Sequence, residues 1–502
     1  MPDFSVLLVS LFNGEALGLR QLYSILREHG YNTKLLFLKL DLEKNYEERQ
    51  RDIFTNNIDG VSEEELDLLI NLIAAIKPNV IGVSLVSSHF HLYKRLYARI
   101  RDLGDFKLVV GGWQPSLNPE EVIHYCDILC IGDGDEAFPE LIDRINNNEL
   151  IDDVQNIWIN NQGIIIRNGI RPLNKNLDSL PNAVFDNEST YYIENNQIVN
   201  LDPYMDNTRY GIIAGRGCPY HCTYCSNSHM IKSVYPQEWS KIRYRSVGHV
   251  MNELLEVKNK LHKVNRINFY DEVFLPKKQW AEEFFKRYKK EIGLPFYCMF
   301  YPGTCQEELV KVMKEGGLSG VWIGIQSGSR RVREDVYLRK YSNALIIEQA
   351  NIFRAHDISV RYDFIFDNPF ETFEESLESI YLMLELPEPF SLNLFSLKYF
   401  PNTDISKMAL EAGFITIADY DDHLAYDQHN YFINQKNQTC KSEFSNYLAM
   451  YISFLAAKGK VQMNKNNIYN LIENFKSHGS LREIQELLEP YLQNSDRDIL
   501  SS

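Results

Sequence analysis

The residues with the most chemistry to offer stand together in Gly215-Arg216-Gly217-Cys218-Pro219-Tyr220-His221-Cys222-Thr223-Tyr224-Cys225, which places three thiols within eight residues. A loop this short can wrap three corners of one metal centre, and thiolates are the usual protein ligands of four-iron clusters. Cys298 and Cys305 are far away in sequence, so no fourth cysteine joins the set locally. One iron of such a cluster lacks a protein thiolate and can take a small molecule, as catalytic metal centres keep a position open. Gly215 and Gly217 let the loop fold tightly. The alternative is a zinc site, which wants a fourth ligand that His221 or His229 can supply. Cys126 and Cys130 flank an apolar run and read as core thiols. Cys298, Cys305 and Cys440 read as structural, with Cys298 a candidate for a barrel mouth.

Elements of two kinds must position this loop. Residues 1–145 alternate strand and helix. Phe4–Val9, Lys34–Leu40, Val80–Val86, Leu108–Val110 and Ile128–Ile131 are apolar runs of strand length. Leu17–Arg27, Glu63–Ile76 and Tyr93–Arg101 have helical spacing, with Leu66, Leu69, Ile70 and Ile73 on one face of the second. Alternation of this kind predicts a parallel, doubly wound, Rossmann-like sheet. Ligands on such sheets sit beyond the carboxyl ends of the strands, where this sequence carries Ser84, Ser87 and Ser88, then Gly111-Gly112, then Gly132-Asp133-Gly134. Residues 146–205 are rich in Asn, with turn signals at Gly163 and Gly169, and read as a linker that includes a hairpin. From 206 to 402 the alternation resumes and predicts a full or partial (β/α) barrel with its chemistry at the strand ends. Residues 403–502 read as a mainly helical region, with Tyr420, Tyr426 and Tyr431 offering an aromatic cap over the barrel.

The chain has 502 residues, enough for two to four domains. Its 44% hydrophobic and 24% charged residues are ordinary for a globular protein. A net charge of −16 argues against a nucleic-acid partner. No run of about 18 apolar residues predicts a membrane span. Met1–Val9 has no basic segment before its apolar run and reads as a first strand, not a signal peptide. Eight cysteines without a signal peptide point to reduced thiols and a cytoplasmic location.

The C-x3-C-x2-C spacing, on a loop that follows a strand and opens a barrel, resembles the radical S-adenosylmethionine superfamily. The resemblance implies that the open iron chelates the amino and carboxylate groups of S-adenosylmethionine, that Tyr224 packs near the adenine, and that an electron from the cluster yields a 5′-deoxyadenosyl radical. Asn268-Phe269-Tyr270-Asp271-Glu272 matches the strand end that the family places beside the methionyl group, and implies that Asp271 accepts from its ammonium. Gly324-Ile325-Gln326-Ser327-Gly328-Ser329 resembles a family segment whose acidic side chain and Ser lie near the cofactor. Gln326 replaces that acid here and carries no charge. Arg339 stands where a cation for the cofactor's carboxylate is expected. Asp363-Phe364-Ile365-Phe366-Asp367-Asn368-Pro369-Phe370-Glu371-Thr372 and Phe400-Pro401-Asn402-Thr403 match further barrel signatures and are read as fold markers.

The segments Pro78–Ser84, Val109–Pro115 and Gly132–Ala137 resemble the cobalamin-binding domain that precedes many such enzymes, and Leu177–Pro181 matches their linker. The resemblance implies that Ser84, Ser87, Gly111, Gly112, Gly132, Gly134 and Glu136 contact cobalamin. After the first strand, where many cobalamin proteins carry Asp-x-His-x-x-Gly, this sequence reads Asn13-Gly14-Glu15-Ala16-Leu17-Gly18. The expected cobalamin therefore binds without an axial His. Asp421-x-His423 and Asp427-x-His429 fall in the wrong region, and His89 and His91 read as a helix start. The implied activity is methylation of an unactivated carbon in a small molecule or peptide, with flavodoxin or ferredoxin as electron donor. A non-methylating radical cyclase, ring-contraction or rearrangement enzyme, and a metal-binding regulatory or scaffold protein, are the alternatives.

Overall fold

The first apolar run becomes an inner strand for the reason its composition gives. In the computed structural model, which describes residues 4–40, 60–101, 103–419 and 439–493, every residue of β1 (Ser5–Leu11) is buried. Leu7, Val9 and Leu11 enter one core and Val6 and Leu8 another. A strand covered on both faces needs a continuous apolar run, not an alternating one. β2 (Asn32–Leu38), β3 (Val80–Ser84), β4 (Lys107–Gly111) and β5 (Ile128–Cys130) complete a parallel set in the order β5-β4-β3-β1-β2. The order reverses between β1 and β3, which is where doubly wound sheets open a crevice.

Helices Leu17–Glu28, Glu63–Ile76, Phe90–Ile100 and Ala137–Asn146 flank these strands. The second begins and ends where its periodicity predicts. Ser62 Oγ accepts the Glu65 N–H, and the Glu65 carboxylate accepts the Ser62 N–H, each at 3.1 Å. That reciprocal cap satisfies two donors the first turn leaves open.

Residues 146–205 do not form a separate linker. β6 (Ile157–Asn161) and β7 (Ile164–Arg167) add an antiparallel hairpin beside β5. β8 (Thr190–Glu194) joins β2 in parallel, with β9 (Gln197–Val199) antiparallel to it, giving nine strands. The outermost strands β7 and β9 bury no residue fully, so they carry little apolar pattern. The segment is locked at its end by Arg20 and Asp202, which are 1% and 0% exposed and pair through two bonds of 2.8 and 2.7 Å. The Arg20 guanidinium also lies 4.4 Å from the Tyr204 ring.

The chain divides into two compact units, with the boundary at 296/297 inside the strand Phe296–Phe300 and not near 205. The first unit contains the nine-stranded sheet, the cysteine loop and the described residues 399–419. Its strands Arg209–Ile212 and Arg266–Phe269 pair in parallel, and Gly215–Arg216 pairs antiparallel with Arg243–Tyr244. Helix Asp404–Glu411 belongs here as well, and the Ile405 N–H donates to the Thr223 carbonyl at 3.1 Å.

The second unit contains residues 297–398 and the C-terminal helices. Strands Leu318–Gln326, Ser359–Phe366 and Ser391–Ser396 are neighbours in parallel register. Helices Cys440–Ala457, Val461–His478 and Arg482–Gln493 follow. Ser376 and Ser445 hydroxyls meet at 2.8 Å, and Phe444 stacks on Phe475 at 4.0 Å. Both units are α/β with parallel strands, as expected, and the C-terminal part is helical. Tyr420, Tyr426, Tyr431, His423 and His429 lie outside the described residues. Among the described residues no helix is long and apolar enough to cross a membrane.

Candidate cofactor site

The cysteine loop is held from below by carboxylates. Asp271 is 1% exposed, and its two oxygens accept the N–H groups of Ala214 at 3.1 Å and Gly215 at 2.6 Å. Glu272 accepts the Gly217 N–H at 3.3 Å. Asp271 was expected to receive a ligand's ammonium. Its carboxylate fixes the backbone that enters the loop, and burial pushes it up to about 8. Gly217 is needed for its backbone: φ is 108°, and a Cβ there would lie 2.6 Å from the Trp239 carbonyl oxygen. That same carbonyl accepts the Cys218 N–H at 3.2 Å.

Cys218 and Cys222 are buried and Cys225 is half-buried. Burial pushes the Cys218 thiol up to about 12, and the other two thiols are close enough to add to the shift. An iron–sulfur cluster suits this donor set, because it supplies the positive charge that thiolates sharing one neighbourhood lack. A zinc site fits poorly. His221 is exposed, and His229 is half-buried, with burial lowering its pKa. Among the described residues no three His, Cys, Asp or Glu side chains converge on an ion-sized point.

Beside the loop, within the first unit, is a cavity of about 410 Å³. It opens at the β1/β3 switch point. Ser84, Gly111, Gly112, Gly132 and Gly134, named above as expected cobalamin contacts, line it. Leu8, Val109 and Phe138 give it an apolar floor, and Ser10 and Asn13 a polar edge. An apolar floor with a polar rim of exposed backbone suits a ligand with an aromatic tail and amide side chains, which is the chemistry of cobalamin. Ser87 is buried but does not line the cavity. Glu136 does not line it either; its side chain is half exposed and lies 3.8 Å from Arg171. His89 starts a helix, as expected, and also lines the cavity while packing 5.4 Å from the Phe12 ring.

Two further histidine nitrogens in the cavity wall are already committed. The Arg245 Nε–H donates to His249 Nδ1 at 2.8 Å, and His249 Nε2 meets the Leu180 carbonyl at 3.0 Å. A nitrogen that accepts from Arg carries no proton, so Nε2 is the donor and the ring is neutral. Burial, followed by the Arg245 charge, lowers its pKa accordingly.

The cavity and the cysteine loop share a wall that the sequence reading did not foresee. Arg216, between the loop's two glycines, pairs with Asp135 and lies 3.7 Å from Asp133. Arg243 reaches Asp133 at 3.2 Å. Arg216, Asp133, Asp135, Trp239 and Glu272 all line the cavity. Gly132 was expected to admit a ligand's tail. The space its missing Cβ leaves is taken by the Tyr235 hydroxyl, although Gly132 still borders the cavity. A cation between two glycines next to three thiols, and aromatic residues four apart at Tyr235 and Trp239, were the available signals.

The remaining expected residues stand in the second unit. Gln326 ends its strand with φ 74°. Ser327 is fully buried, and its hydroxyl donates to Glu371 at 2.9 Å. Burial pushes Glu371 up to about 8, and it sits one residue before the Thr372 helix cap. Arg339 is 6% exposed, not a surface side chain; it donates to the Gly324 carbonyl at 2.6 Å and to Tyr341 Oη at 2.9 Å, and its guanidinium covers the Tyr301 ring at 4.2 Å. Asp363 was read as part of a fold marker; it accepts from Asn393 at 2.8 Å, and burial pushes it up to about 6. Tyr224 is half-buried in the first unit. Cys298 is fully buried, and Cys440 is exposed with its thiol 3.4 Å from the Gly479 carbonyl.

Comparison with known proteins agrees with this geometry. Residues 5–142 match the B12 binding domain and residues 212–382 the Radical SAM superfamily, together more than half of the chain. Uncharacterized methyltransferase PH0819 of Pyrococcus horikoshii is 25% identical over 328 residues, 63% of this chain and 67% of that protein. The chain thus spans about two thirds of that relative's length. The radical S-adenosylmethionine methyltransferase TsrM from Kitasatospora setae, with cobalamin and [4Fe-4S] cluster bound, superposes with a TM-score of 0.62 at 15% identity, covering 90% of this chain and 88% of its own. The cobalamin-dependent S-adenosylmethionine radical enzyme OxsB, with aqua-cobalamin bound, gives 0.64 at 16%, covering 97% and 71%. These two share the fold. The cofactors of the two matched domains are a four-iron cluster with S-adenosylmethionine and a cobalamin. With a B12-binding domain followed by a Radical SAM domain, the chain belongs to the cobalamin-binding radical S-adenosylmethionine enzymes.

Proposed function

We propose that this protein transfers a methyl group to an unactivated carbon of a small-molecule or peptide substrate, with Cys218, Cys222 and Cys225 as the cluster ligands. The observation that carries the reading is the shared wall: Arg216 and Trp239 hold the cysteine loop and also line the cavity assigned to cobalamin. When bound, the cluster with S-adenosylmethionine supplies a carbon-centred radical and cobalamin supplies the methyl group. The protein's part is placement. Asp271 and Glu272 set the backbone of the loop, and the Arg216–Asp135 pair keeps that loop against the cavity. His249, in the helix Val247–Lys260, has both ring nitrogens hydrogen-bonded and so offers the cavity no free imidazole nitrogen. The methyltransferase names of the Pyrococcus relative and of TsrM support methyl transfer over rearrangement. The electron comes from a small carrier of flavodoxin or ferredoxin type.

The test is anaerobic incubation of the loaded enzyme with S-adenosylmethionine, a reductant and fractionated metabolite pools. The expected outcome is a product heavier by one methylene, with S-adenosylhomocysteine and 5′-deoxyadenosine in comparable amounts. A substrate-dependent product that gains no methyl group, formed with 5′-deoxyadenosine alone, contradicts the reading.

A further inference from the structure

Trp239 touches the cysteine loop at both ends. Its carbonyl accepts the Cys218 N–H, and its indole Nε1–H donates to Asn227 Oδ1 at 2.7 Å. The other end of that amide, Asn227 Nδ2, lies 3.7 Å from Cys225 Sγ, a normal length for an N–H donor to sulfur. Amide oxygen and nitrogen are easily interchanged in a structure, but here the chemistry decides between them. An indole nitrogen is a donor only, so it must face the amide oxygen, and the amide N–H₂ must face the sulfur. Trp239 is in turn fixed: it is 4% exposed, stacks on Tyr235 at 5.8 Å with 12° between the planes, and meets Trp113 edge-on at 6.3 Å. Both Trp113 and Trp239 line the cavity.

We propose that Asn227 is a positioning residue that tunes the cluster through Cys225: its Nδ2–H donates to the thiolate sulfur, and Trp239 holds the amide in the orientation that makes this donation possible. The inference rests on the assignment of Cys225 as a cluster ligand. A hydrogen bond to a ligating sulfur withdraws electron density and favours the reduced cluster, so it raises the reduction potential. The affected couple is the one-electron reduction of the cluster, with the electron supplied by the titrant and no proton transferred. Because Trp239 also borders the cobalamin cavity, one side chain orients the donor to one cofactor and forms the wall of the other.

The experiment is an EPR-monitored dithionite titration of the anaerobically reconstituted full chain, with iron per chain measured in each sample. Asn227→Leu removes donor and acceptor without adding charge, and Asn227→Asp keeps the bond to Trp239 but cannot donate. Both are expected to lower the midpoint potential at wild-type iron content, with Trp239→Phe giving a smaller shift in the same direction. A shift in Asn227→Asp alone marks a charge effect and overturns the proposal, as does an unchanged potential in both. Should Asn227→Leu lose iron, exchangeable-proton ENDOR of the other two variants decides: a strongly coupled exchangeable proton absent in Asn227→Asp supports the donation, and its persistence overturns it. Cys225→Ala reports separately on the ligand assignment, since full iron content there removes the premise itself.

Discussion

The Tyr235 hydroxyl accepts the backbone N–H of Asp133 at 2.8 Å, joining a residue ten positions after the last loop cysteine to a turn 102 residues earlier. The same oxygen accepts from Asn156 Nδ2 at 3.1 Å. Both donors are served by one hydroxyl in the space that Gly132 leaves open. Tyr235→Phe therefore strands the Asp133 N–H, while Asn156 Nδ2 keeps the Ile131 and Asp133 carbonyls, and should cost about 1–3 kcal/mol of unfolding free energy. Urea denaturation of the wild type and variant measures this, and the variant should also lose affinity for cobalamin in an absorbance titration.

Arg216 stands among Asp135, Asp133 and Glu272, and its ion pair holds the loop to the sheet. Arg216→Met leaves those carboxylates short of one guanidinium. The expected result is at least about a tenfold weaker cobalamin affinity, equal to about 1.4 kcal/mol, and a lower yield of cluster on reconstitution. Wild-type values for both would show that the pair does not organise the wall.

Asp271 gives a dependence on pH with a definite sign. Burial raises its folded pKa to about 8, with Glu272 adding to the effect, whereas an unfolded chain ionises Asp near about 4. Between those values the folded state keeps a proton that the unfolded state has released. Stability is therefore highest below the lower value and falls as pH rises through the upper one. Glu371, raised to about 8 by burial, contributes in the same direction. Unfolding free energy of the cofactor-free chain should decline from pH 5 to pH 8, and Asp271→Asn and Glu371→Gln should each flatten the decline.

Arg20 and Asp202 form a buried pair, with Arg20 also lining the cavity. Removing one partner leaves an uncompensated buried charge, with an expected loss of about 3–5 kcal/mol for Arg20→Met or Asp202→Leu alone. The double variant should recover much of that loss in denaturant melts. Additive losses would contradict a direct coupling between the two side chains.

What the sequence made legible follows from how locally each feature is encoded. The three cysteines were readable because all of them lie within one loop. The inner strands were readable because burial on both faces demands an apolar run, and Glu63–Ile76 because its cap and its periodicity agree. A hairpin was expected within 146–205, but the addition of 157–167 and 190–199 to the edges of the main sheet escaped notice because half-exposed strands lack that pattern. The helix Lys278–Glu291 was also missed, since Lys and Glu dilute the apolar spacing of Ala281, Phe284, Phe285 and Tyr288. The roles of Tyr235, Trp239 and Arg216 depend on partners far away in the chain, and no spacing encodes those contacts. Asp271 was found by its position, but its hold on the Ala214 and Gly215 N–H groups depends on where those groups point.

The central claim is that one chain runs two separable chemistries, one on the cysteine loop and one at the cobalamin cavity. The most direct measurement is to load the enzyme with cobalamin under strong reductant, add S-adenosylmethionine, and quantify both adenosyl products in the wild type and in the Cys218→Ala, Cys222→Ala, Cys225→Ala triple variant, with and without cobalamin. The account predicts that 5′-deoxyadenosine disappears in the triple variant, while S-adenosylhomocysteine disappears when cobalamin is withheld. Formation of 5′-deoxyadenosine without the three cysteines, or of S-adenosylhomocysteine without cobalamin, would contradict it.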